Sequence, residues 1–255
     1  MKTVETHPIQ DSQALLVGWL HPYYEEMAHR KKRPCAVICP GGAYKYCSDR
    51  EADPIAEAYF AKGFQVFILY YSTTGRELER PATGLRPLGE LSESVVHIRE
   101  NSALYGVDPE KIAVIGFSAG AHLAGSLGVH WNSEKLREFY PSEPGKNRPD
   151  AMVLSYPVIS ARPEAHPEWH DSFSALLGPD RTPEEEAFFS LEEQVNEETV
   201  PAFCWHTMDD DCVCVANTMR FVKSLYEHGI PAECHLFEHG HHGLSMCTER
   251  SEEHT

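Results

Sequence analysis

The chain has 255 residues, of which 42% are hydrophobic, so it holds enough apolar material for one large α/β domain or two small ones. Its 39 acidic and 22 basic residues give a net charge of −17, which argues against nucleic acid or an anionic membrane as a partner, since both require a basic surface. No apolar run reaches the length of a membrane span, and the N-terminal residues lack the apolar core of a secretory signal, so we expect a cytoplasmic protein.

The first half of the chain is predicted to contain a buried strand followed by a glycine pair. Residues 35–39 form a short continuous apolar run, which is typical of a strand buried on both faces of a sheet. Gly41 and Gly42 follow directly, so backbone N–H groups there can face outward without obstruction by side chains. The other elements expected in this half are a weak strand at 14–20, a polar connection at 23–32, a helix at 53–62, a strand at 64–71, an irregular loop at 76–89, a helix at 88–105 and a turn at 108–111.

The second half continues the alternation of strands and helices, with one interruption. Residues 161–199 contain several prolines and two short helical segments, and Thr182-Pro183-Glu184-Glu185 carries a capping-box pattern with proline at the first helical position. We interpret 161–199 as a lid-like excursion over the edge where the strands end, which is where binding walls lie. Strands are predicted at 112–115, 151–158, 201–206 and 232–237, and helices at 121–129 and 215–228.

This alternation predicts the α/β fold class. Specifically, we expect a doubly wound, mostly parallel sheet with helices on both faces, in a single domain over residues 1–255. No internal repeat and no low-complexity linker divides the chain.

The stretch Gly116-Phe117-Ser118-Ala119-Gly120 lies between a buried apolar run and a helix rich in small residues. Strand, G-x-S-x-G, helix is the context of a nucleophile elbow, in which a sharp turn lifts the serine hydroxyl above the sheet edge. Larger side chains at the flanking positions would collide in that turn, which explains the glycines. The following helix directs its first free N–H groups at the site, where negative charge develops. A chance G-x-S-x-G in a glycine-rich loop is the alternative, and the flanking strand and helix disfavour it.

The chain also supplies partners for such a serine. An acyl-transfer serine requires a base, a group that orients the base and donors for the oxyanion. Aspartates at 209–211 follow the penultimate predicted strand, and histidines at 239, 241 and 242 follow the last one. The order Ser, Asp, His is that of the α/β-hydrolase fold, and loops after strands are where open α/β sheets bind ligands.

Four motifs, VICPGGAY, KIAVIGFSAGAHLA, FCWHTMDD and EHGHHGL, occur in this order between Cys35 and Leu244. Together they resemble the α/β-hydrolase esterases related to acetylxylan esterases, often described as xylanase-B-like. The LLG…TPEEE…S segment fits the same family. The resemblance covers most of the chain and implies an α/β-hydrolase fold with a serine esterase site.

The resemblance implies a role for each motif. Ser118 is the implied nucleophile, and the backbone N–H groups of Gly42, Ala43 and Ala119 form the implied oxyanion hole. The PGGAY stretch occupies the place of an HGGG-type motif; proline and alanine replace its first and last residues, but neither change removes these N–H groups.

The acid and the base are each chosen from a cluster. The family pattern D-x-x-V favours Asp210 as the acid, with Asp209 second and Asp211 the remaining alternative, and cysteine stands where the family has proline. The pattern G-H-G-L favours His242 as the base, although a histidine stands where the first glycine is usual. His241 ranks second and His239 third.

The eight cysteines are spread over predicted strands and loops, so we expect free thiols in a reducing compartment. Cys212 and Cys214, together with the histidines of the last loop, raise the alternative of a zinc site. We disfavour it because no C-x-x-C pair accompanies the set. We therefore expect neither a metal nor an organic cofactor.

The expected activity is carboxylic ester hydrolysis on a small-molecule substrate, namely the deacetylation of short acetylated oligosaccharides. An arylformamidase, a small peptidase and a general carboxylesterase on the same fold are alternatives, as is an inactive hydrolase-like binding protein; the oligomeric state is left open. Aromatic faces stack on sugar rings, but core packing is the alternative for at least half of such residues. The candidates for substrate contact are Tyr44, Tyr71 and Tyr156, with Trp169 and Trp205 as further aromatic residues.

Overall fold

The structure is a computed structural model that describes residues 1–10, 12–162 and 172–247. Its strands are β1 Lys2–Thr6, β2 Leu15–Leu20, β3 Arg33–Cys39, β4 Gln65–Tyr70, β5 Val107–Phe117, β6 Ala151–Ser155, β7 Ala202–Thr207 and β8 Ala232–Phe237. They form one sheet in the order β1-β2-β4-β3-β5-β6-β7-β8. The six strands β3 to β8 are parallel to one another, whereas β2 is antiparallel to β4 and β1 is antiparallel to β2.

Helices connect the parallel strands and cover both faces of the sheet. They are α1 Asp53–Ala61, α2 Arg86–Glu100, α3 Ser102–Tyr105, α4 Ala119–His130, α5 Glu134–Phe139, α6 Phe173–Leu176, α7 Pro183–Phe188 and α8 Ala216–Glu227. The expected doubly wound, mostly parallel sheet is confirmed. Within the described ranges, no helix combines the length and the apolar character needed to cross a membrane.

The two faces of β3 show why its sequence is a continuous apolar run. Cys35, Val37 and Cys39 pack into a larger core shared with α2, α4 and α8. The intervening Ala36 and Ile38 pack into a smaller core shared with α1. Successive side chains of a strand point to opposite faces, so a strand covered on both sides has no position for a polar residue.

The structure differs from the sequence prediction at several elements. The single helix expected at 88–105 begins earlier, at Arg86, and is divided into α2 and α3 at Asn101, whose φ of −96° and ψ of 16° are not helical. The turn expected at 108–111 is part of β5: Arg33 pairs with Val107 but Cys35 pairs with Ile112, so the extra residues form an irregular bulge in the strand. The strand β1 was not predicted.

The described part of the excursion, residues 172–199, packs against α4. The capping box of α7 is present, with Thr182 Oγ1 accepting from Glu185 N and Glu185 accepting from Thr182 N. Backbone carbonyls of the segment accept hydrogen bonds from α4: Phe189 O from His122 and Phe188 O from His130. Residues 163–171 lie outside the described residues, and the role of 161–199 as a lid stays a prediction.

Candidate active site

Ser118 lies at the sharp turn between β5 and α4. Its φ of 53° and ψ of −119° are an uncommon conformation for a residue with a side chain, which costs of the order of 1–3 kcal/mol. Two of its backbone hydrogen bonds join it to β6 and the residues that follow: Ser118 N donates to Ser155 O at 3.0 Å, and Ser118 O accepts from Val158 N at 3.3 Å. The end of β6 therefore fixes the conformation that directs the serine hydroxyl out of the sheet.

The glycines on either side of Ser118 are required by close backbone contacts. A Cβ on Gly116 would overlap the Gly120 carbonyl oxygen and the backbone of Ala121. A Cβ on Gly120 would overlap the carbonyl oxygens of Cys39 and Pro40 at the end of β3. Because both obstacles are backbone atoms, no side-chain rearrangement relieves them. The steric explanation for the motif agrees with the geometry.

His242 connects the serine to an aspartate. Its Nε2 lies 2.8 Å from Ser118 Oγ, and its Nδ1 lies 2.8 Å from Asp210 Oδ2. The other carboxylate oxygen, Asp210 Oδ1, accepts from the backbone N–H groups of Cys212 and Val213 at 2.9 and 2.8 Å. Since the carboxylate accepts at Nδ1, that nitrogen carries the hydrogen and Nε2 is left to accept the serine proton.

The three adjacent aspartates have three different sets of partners. Asp209 is exposed and accepts from His239 Nδ1 and from Gly240 N. Asp211 is also exposed, and its Oδ1 accepts from the backbone N–H of His242 at 3.3 Å. Of the three, only Asp210 hydrogen-bonds the ring of the histidine whose other nitrogen reaches Ser118.

A second histidine on Asp210 was not predicted from the sequence. His206, at the end of β7, is fully buried, and its Nε2 lies 3.1 Å from Asp210 Oδ2 and 3.0 Å from Val213 O. Its Nδ1 lies 2.7 Å from the Thr218 hydroxyl. Burial would raise the pKa of the Asp210 carboxyl, but hydrogen bonds from the two histidines outweigh that effect and hold the pKa well below its usual range. The sequence signals for His206 are its place in the FCWHTMDD motif and its position four residues before Asp210.

The backbone N–H groups expected to bind an oxyanion are available. In the described part of the chain, those of Gly42, Ala43 and Ala119 donate to no backbone or side-chain acceptor. The neighbouring Gly41 N is engaged, because it donates to Glu51 Oε2 at 2.9 Å. Ala119 is the first residue of α4, where helix geometry leaves N–H groups without an internal partner.

Glu51 connects the Gly41-Gly42 loop to the histidine loop. Its side chain is almost completely buried; Oε2 accepts from Gly41 N, and Oε1 accepts from the Tyr156 hydroxyl at 2.7 Å. That hydroxyl accepts in turn from Ser245 N at 3.0 Å. The Tyr156 ring meets His242 edge-on, with ring centroids 5.0 Å apart. One carboxylate thus stabilises two loops that carry site residues.

A cavity of about 360 Å³ opens at Ser118. Tyr46 and Arg50 lie on its wall and were not predicted; the Arg76 guanidinium stacks on the Tyr46 ring, 3.6 Å from its centroid. The cavity is small, and polar and apolar surfaces line it about equally, so it suits a short acyl group better than a long alkyl chain. Its lining residues are Gly42, Ala43, Tyr46, Ser48, Arg50, Glu51, Ser118, Cys212 and His242.

The three tyrosines proposed to contact substrate do not line this cavity. Tyr44, Tyr71 and Tyr156 are buried, and each hydroxyl has a partner inside the protein. Those partners are His122 Nδ1 for Tyr44, Pro40 O for Tyr71 and Glu51 Oε1 for Tyr156. The structure therefore gives them packing and loop-positioning roles. An isolated tyrosine in the sequence does not reveal which side of a strand end it faces.

The two tryptophans considered with these tyrosines also give no support for aromatic residues that stack on a sugar at the cavity. Trp205 is half-buried on β7, and its indole N–H donates to Ser155 Oγ at 2.8 Å. It lines a different surface depression, formed with Phe203 and Phe237. Trp169 lies outside the described residues.

The cysteines near the site show no metal-binding arrangement. Cys212 lines the cavity, and burial raises the pKa of its thiol to about 12. A thiol that is not ionised at neutral pH is a poor nucleophile and metal ligand. Over residues 1–10, 12–162 and 172–247, no three histidine, cysteine or acidic side chains are grouped as a metal site.

Comparison with known sequences identifies the family of the chain. Residues 22–225 match the family BD-FAE, which is most of the chain. The chain belongs to the BD-FAE family. This BD-FAE chain is 38% identical over 219 residues to endo-1,4-beta-xylanase B of Butyrivibrio fibrisolvens, covering 86% of this chain and 33% of that protein. It is 24% identical over 219 residues to an acetylxylan esterase of Xylanibacter ruminicola, and this match covers 83% of this chain and 41% of that protein. It therefore spans between a third and about two fifths of these relatives' length.

Solved structures agree with this placement. An acetyl ester-xyloside bifunctional hydrolase from Caldicellulosiruptor lactoaceticus is 33% identical, with a TM-score of 0.79 over 94% of this chain and 84% of that one. The α/β hydrolase MGS-M1, from a Medee basin deep-sea metagenome, is 32% identical, with a TM-score of 0.78 over 100% of this chain and 88% of that one. The resemblance to xylanase-B-like and acetylxylan-esterase-related α/β hydrolases is confirmed at the level of family and fold.

Proposed function

We propose that this BD-FAE chain is a serine carboxylic ester hydrolase that removes acetyl groups from short acetylated carbohydrates. The observation that carries the proposal is the hydrogen-bonded line from Ser118 through His242 to Asp210, beside backbone N–H groups that donate to no acceptor among the described residues. A nucleophile, a base and an orienting acid next to oxyanion donors are the parts that acyl transfer requires.

In the proposed reaction, His242 Nε2 takes the Ser118 proton as Oγ attacks the carbonyl carbon of the ester. Asp210, held ionised by its two histidines, stabilises the imidazolium that forms. The N–H groups of Gly42, Ala43 and Ala119 stabilise the oxyanion, each contributing about 3 kcal/mol at the transition state. The tetrahedral intermediate collapses as His242 gives its proton to the leaving alcohol. Water, activated by the same histidine, then hydrolyses the acyl-enzyme.

The acetyl specificity is supported by the cavity. Its volume of about 360 Å³ is at the small end of ligand sites, and Gly42 and Ala43 lie on its wall beside Ser118. The carbohydrate part is supported by the names of two relatives, an acetylxylan esterase and an acetyl ester-xyloside hydrolase. We further propose that residues 161–199 cover part of the site. Cytoplasmic location stays a prediction.

The experiment is an acetate-release screen with purified protein on acetylated xylo-oligosaccharides, mono-acetylated sugars and an aryl formamide. Ser118→Ala is the inactive control, and His241→Ala is a matched histidine change outside the proposed triad. We expect acetate release that Ser118→Ala abolishes and His241→Ala retains. Turnover of the formamide without acetate release would instead favour an arylformamidase, and no turnover of any substrate would favour a binding protein.

A further inference from the structure

A second cavity, of about 290 Å³, lies at the opposite end of the sheet from Ser118. It is bounded by the starts of β3 and β4 and by the chain just before β5, so it faces away from the ester site. Four of its lining residues are basic, one is histidine and none is acidic. The full lining is Lys2, Leu20, His21, Pro22, Tyr23, Arg30, Lys31, Arg33, Gln65, Ala103, Leu104, Tyr105 and Gly106.

This composition is unusual for the chain that contains it. Acidic residues outnumber basic ones by 39 to 22, yet residues 29–33 read His-Arg-Lys-Lys-Arg. Three of those side chains reach the cavity, and Lys2 joins them from β1. Glu25 and Glu26, in the same short helix as Arg30, do not line it. In the described part of the chain, none of the four cations forms an ion pair with a carboxylate.

Arg33 is the central observation. Its side chain is at the wall of the cavity, and the residue is only 7% exposed. Nη1 donates to a backbone carbonyl, Gly63 O, at 3.1 Å. Burial and the nearby charge of Arg30 lower the pKa of Arg33. The guanidinium groups of Arg33 and Arg30 both lie beside Gly63. A Cβ placed on this glycine would be 3.3 Å from Nη1 of Arg33 and 3.9 Å from Nη1 of Arg30. A buried guanidinium beside a second one is unfavourable unless a negative charge accompanies it.

The Gly63 carbonyl accounts for one of the five donors of Arg33. It belongs to the turn that ends α1, where helix carbonyls carry a partial negative charge. His21 Nε2 lies 2.9 Å from Phe60 O, another carbonyl of the same helix end, so this helix end already interacts with two side chains. The partial negative charge of a helix end does not balance two guanidinium and two ammonium groups.

We propose that this cavity binds a phosphate group, either free or as the ester of a small molecule. Two planar guanidinium groups present paired N–H donors that match phosphate oxygens, and two ammonium groups add charge that a doubly ionised anion uses better than a monoanion. The volume admits a group of about the size of a sugar phosphate. The site is separate from the ester site and does not depend on the function proposed for Ser118.

The test is isothermal titration calorimetry at constant ionic strength with inorganic phosphate, glucose 6-phosphate, glucose and acetate. The variant is Arg30→Gln with Lys31→Gln, since both residues are exposed and their replacement spares the packed Arg33. The matched control is Arg220→Gln with Lys223→Gln, which removes the same charge from the exposed face of α8. Arg50→Gln tests whether the anion binds at the ester cavity instead.

We expect saturable phosphate binding that weakens at least about tenfold in the Arg30/Lys31 variant, because charge-assisted hydrogen bonds are each worth more than one factor of ten. The Arg220/Lys223 and Arg50 variants should bind as the unchanged protein does, and glucose and acetate should not bind. Tighter binding of glucose 6-phosphate than of phosphate would identify an ester as the ligand. Absence of saturable binding, equal weakening in both double variants, or loss only in Arg50→Gln would overturn the proposal.

Discussion

The Nε2 atom of His206 lies 3.1 Å from Oδ2 of Asp210, the same oxygen that faces His242. Because Nε2 of His206 is also 3.0 Å from a carbonyl oxygen, it carries a hydrogen, and the Thr218 hydroxyl occupies the other ring nitrogen. Asp210 thus receives two side-chain and two backbone hydrogen bonds. An acid held in this way keeps its charge and its orientation toward His242 without help from water.

We predict that His206 is a positioning residue. His206→Leu should lower kcat by about ten- to a hundredfold, since one hydrogen bond to a charged group is lost, and should leave KM nearly unchanged. The acidic limb of the pH–rate profile should move to higher pH, because Asp210 loses a donor that lowers its pKa. His206→Gln, whose amide can donate, should restore part of kcat. A purely structural role would instead lower thermal stability without moving the pH profile.

Ser118→Ala should abolish ester hydrolysis while the fold is retained. Loss of the nucleophile in a serine triad costs about 10⁶-fold in kcat, and removal of one hydroxyl oxygen disturbs no core contact. The measurements are p-nitrophenyl acetate turnover and circular dichroism. Normal turnover by the variant, once contaminating esterase has been excluded, would remove Ser118 from the mechanism.

Substitutions of the three adjacent aspartates should differ sharply in their effect on kcat. Asp210→Asn is expected to lower kcat by about 10⁴-fold, because an amide disturbs the tautomer and charge stabilisation of His242. Asp209→Asn should have little effect, since Asp209 is exposed and faces His239. Asp211→Asn should have a mild effect through the His242 backbone N–H. Equal, mild effects at all three positions would mean that another residue orients the histidine.

Acyl chain length should affect the chemical step as well as binding. In a p-nitrophenyl ester series from acetate to octanoate, kcat/KM should be highest for acetate and fall as the chain lengthens. A longer chain must displace the carbonyl from the N–H groups of Gly42 and Ala43, so kcat should fall together with affinity. A preference for octanoate, with no acetate released from sugars, would favour a general carboxylesterase.

His130 should make the fold less stable at mildly acidic pH. Its ring is buried against Phe188, with centroids 3.9 Å apart, and burial lowers its pKa from 6.5 to about 4 despite the hydrogen bond to Phe188 O. As pH falls below 6.5, His130 binds a proton in the unfolded chain but stays neutral in the folded chain. The free energy of unfolding therefore declines until about pH 4, where the folded chain binds the proton as well. The slope from this residue approaches 1.4 kcal/mol per pH unit. His130→Gln, which can donate to the same carbonyl, should show a flatter decline in urea unfolding between about pH 7 and pH 5. An unchanged slope would assign the acid sensitivity to other groups.

Local patterns in the sequence determined the framework of the protein. Residues 35–39 are apolar at every position because β3 is covered on both faces, and that signal needs no knowledge of neighbours. The G-x-S-x-G stretch likewise reports a local constraint, since Gly116 and Gly120 avoid backbone atoms within the turn and at the adjacent strand end. Motif order supplied a serine, an aspartate and a histidine that the structure brings within hydrogen-bond distance of one another.

Where several residues of one type lie close together in the sequence, only the tertiary structure decided the role of each. The aspartates at 209–211 are adjacent in sequence, but loop geometry directs Asp210 alone to the imidazole rings of His206 and His242. Tyr44 and Tyr46 are two residues apart; one is buried against His122 and the other lines the cavity. The bulge in β5 and the approach of Arg33 to Gly63 depend on partners far along the chain. A pattern of residue types records local sterics and burial, whereas the direction of one side chain in a loop depends on long-range contacts that the pattern does not contain.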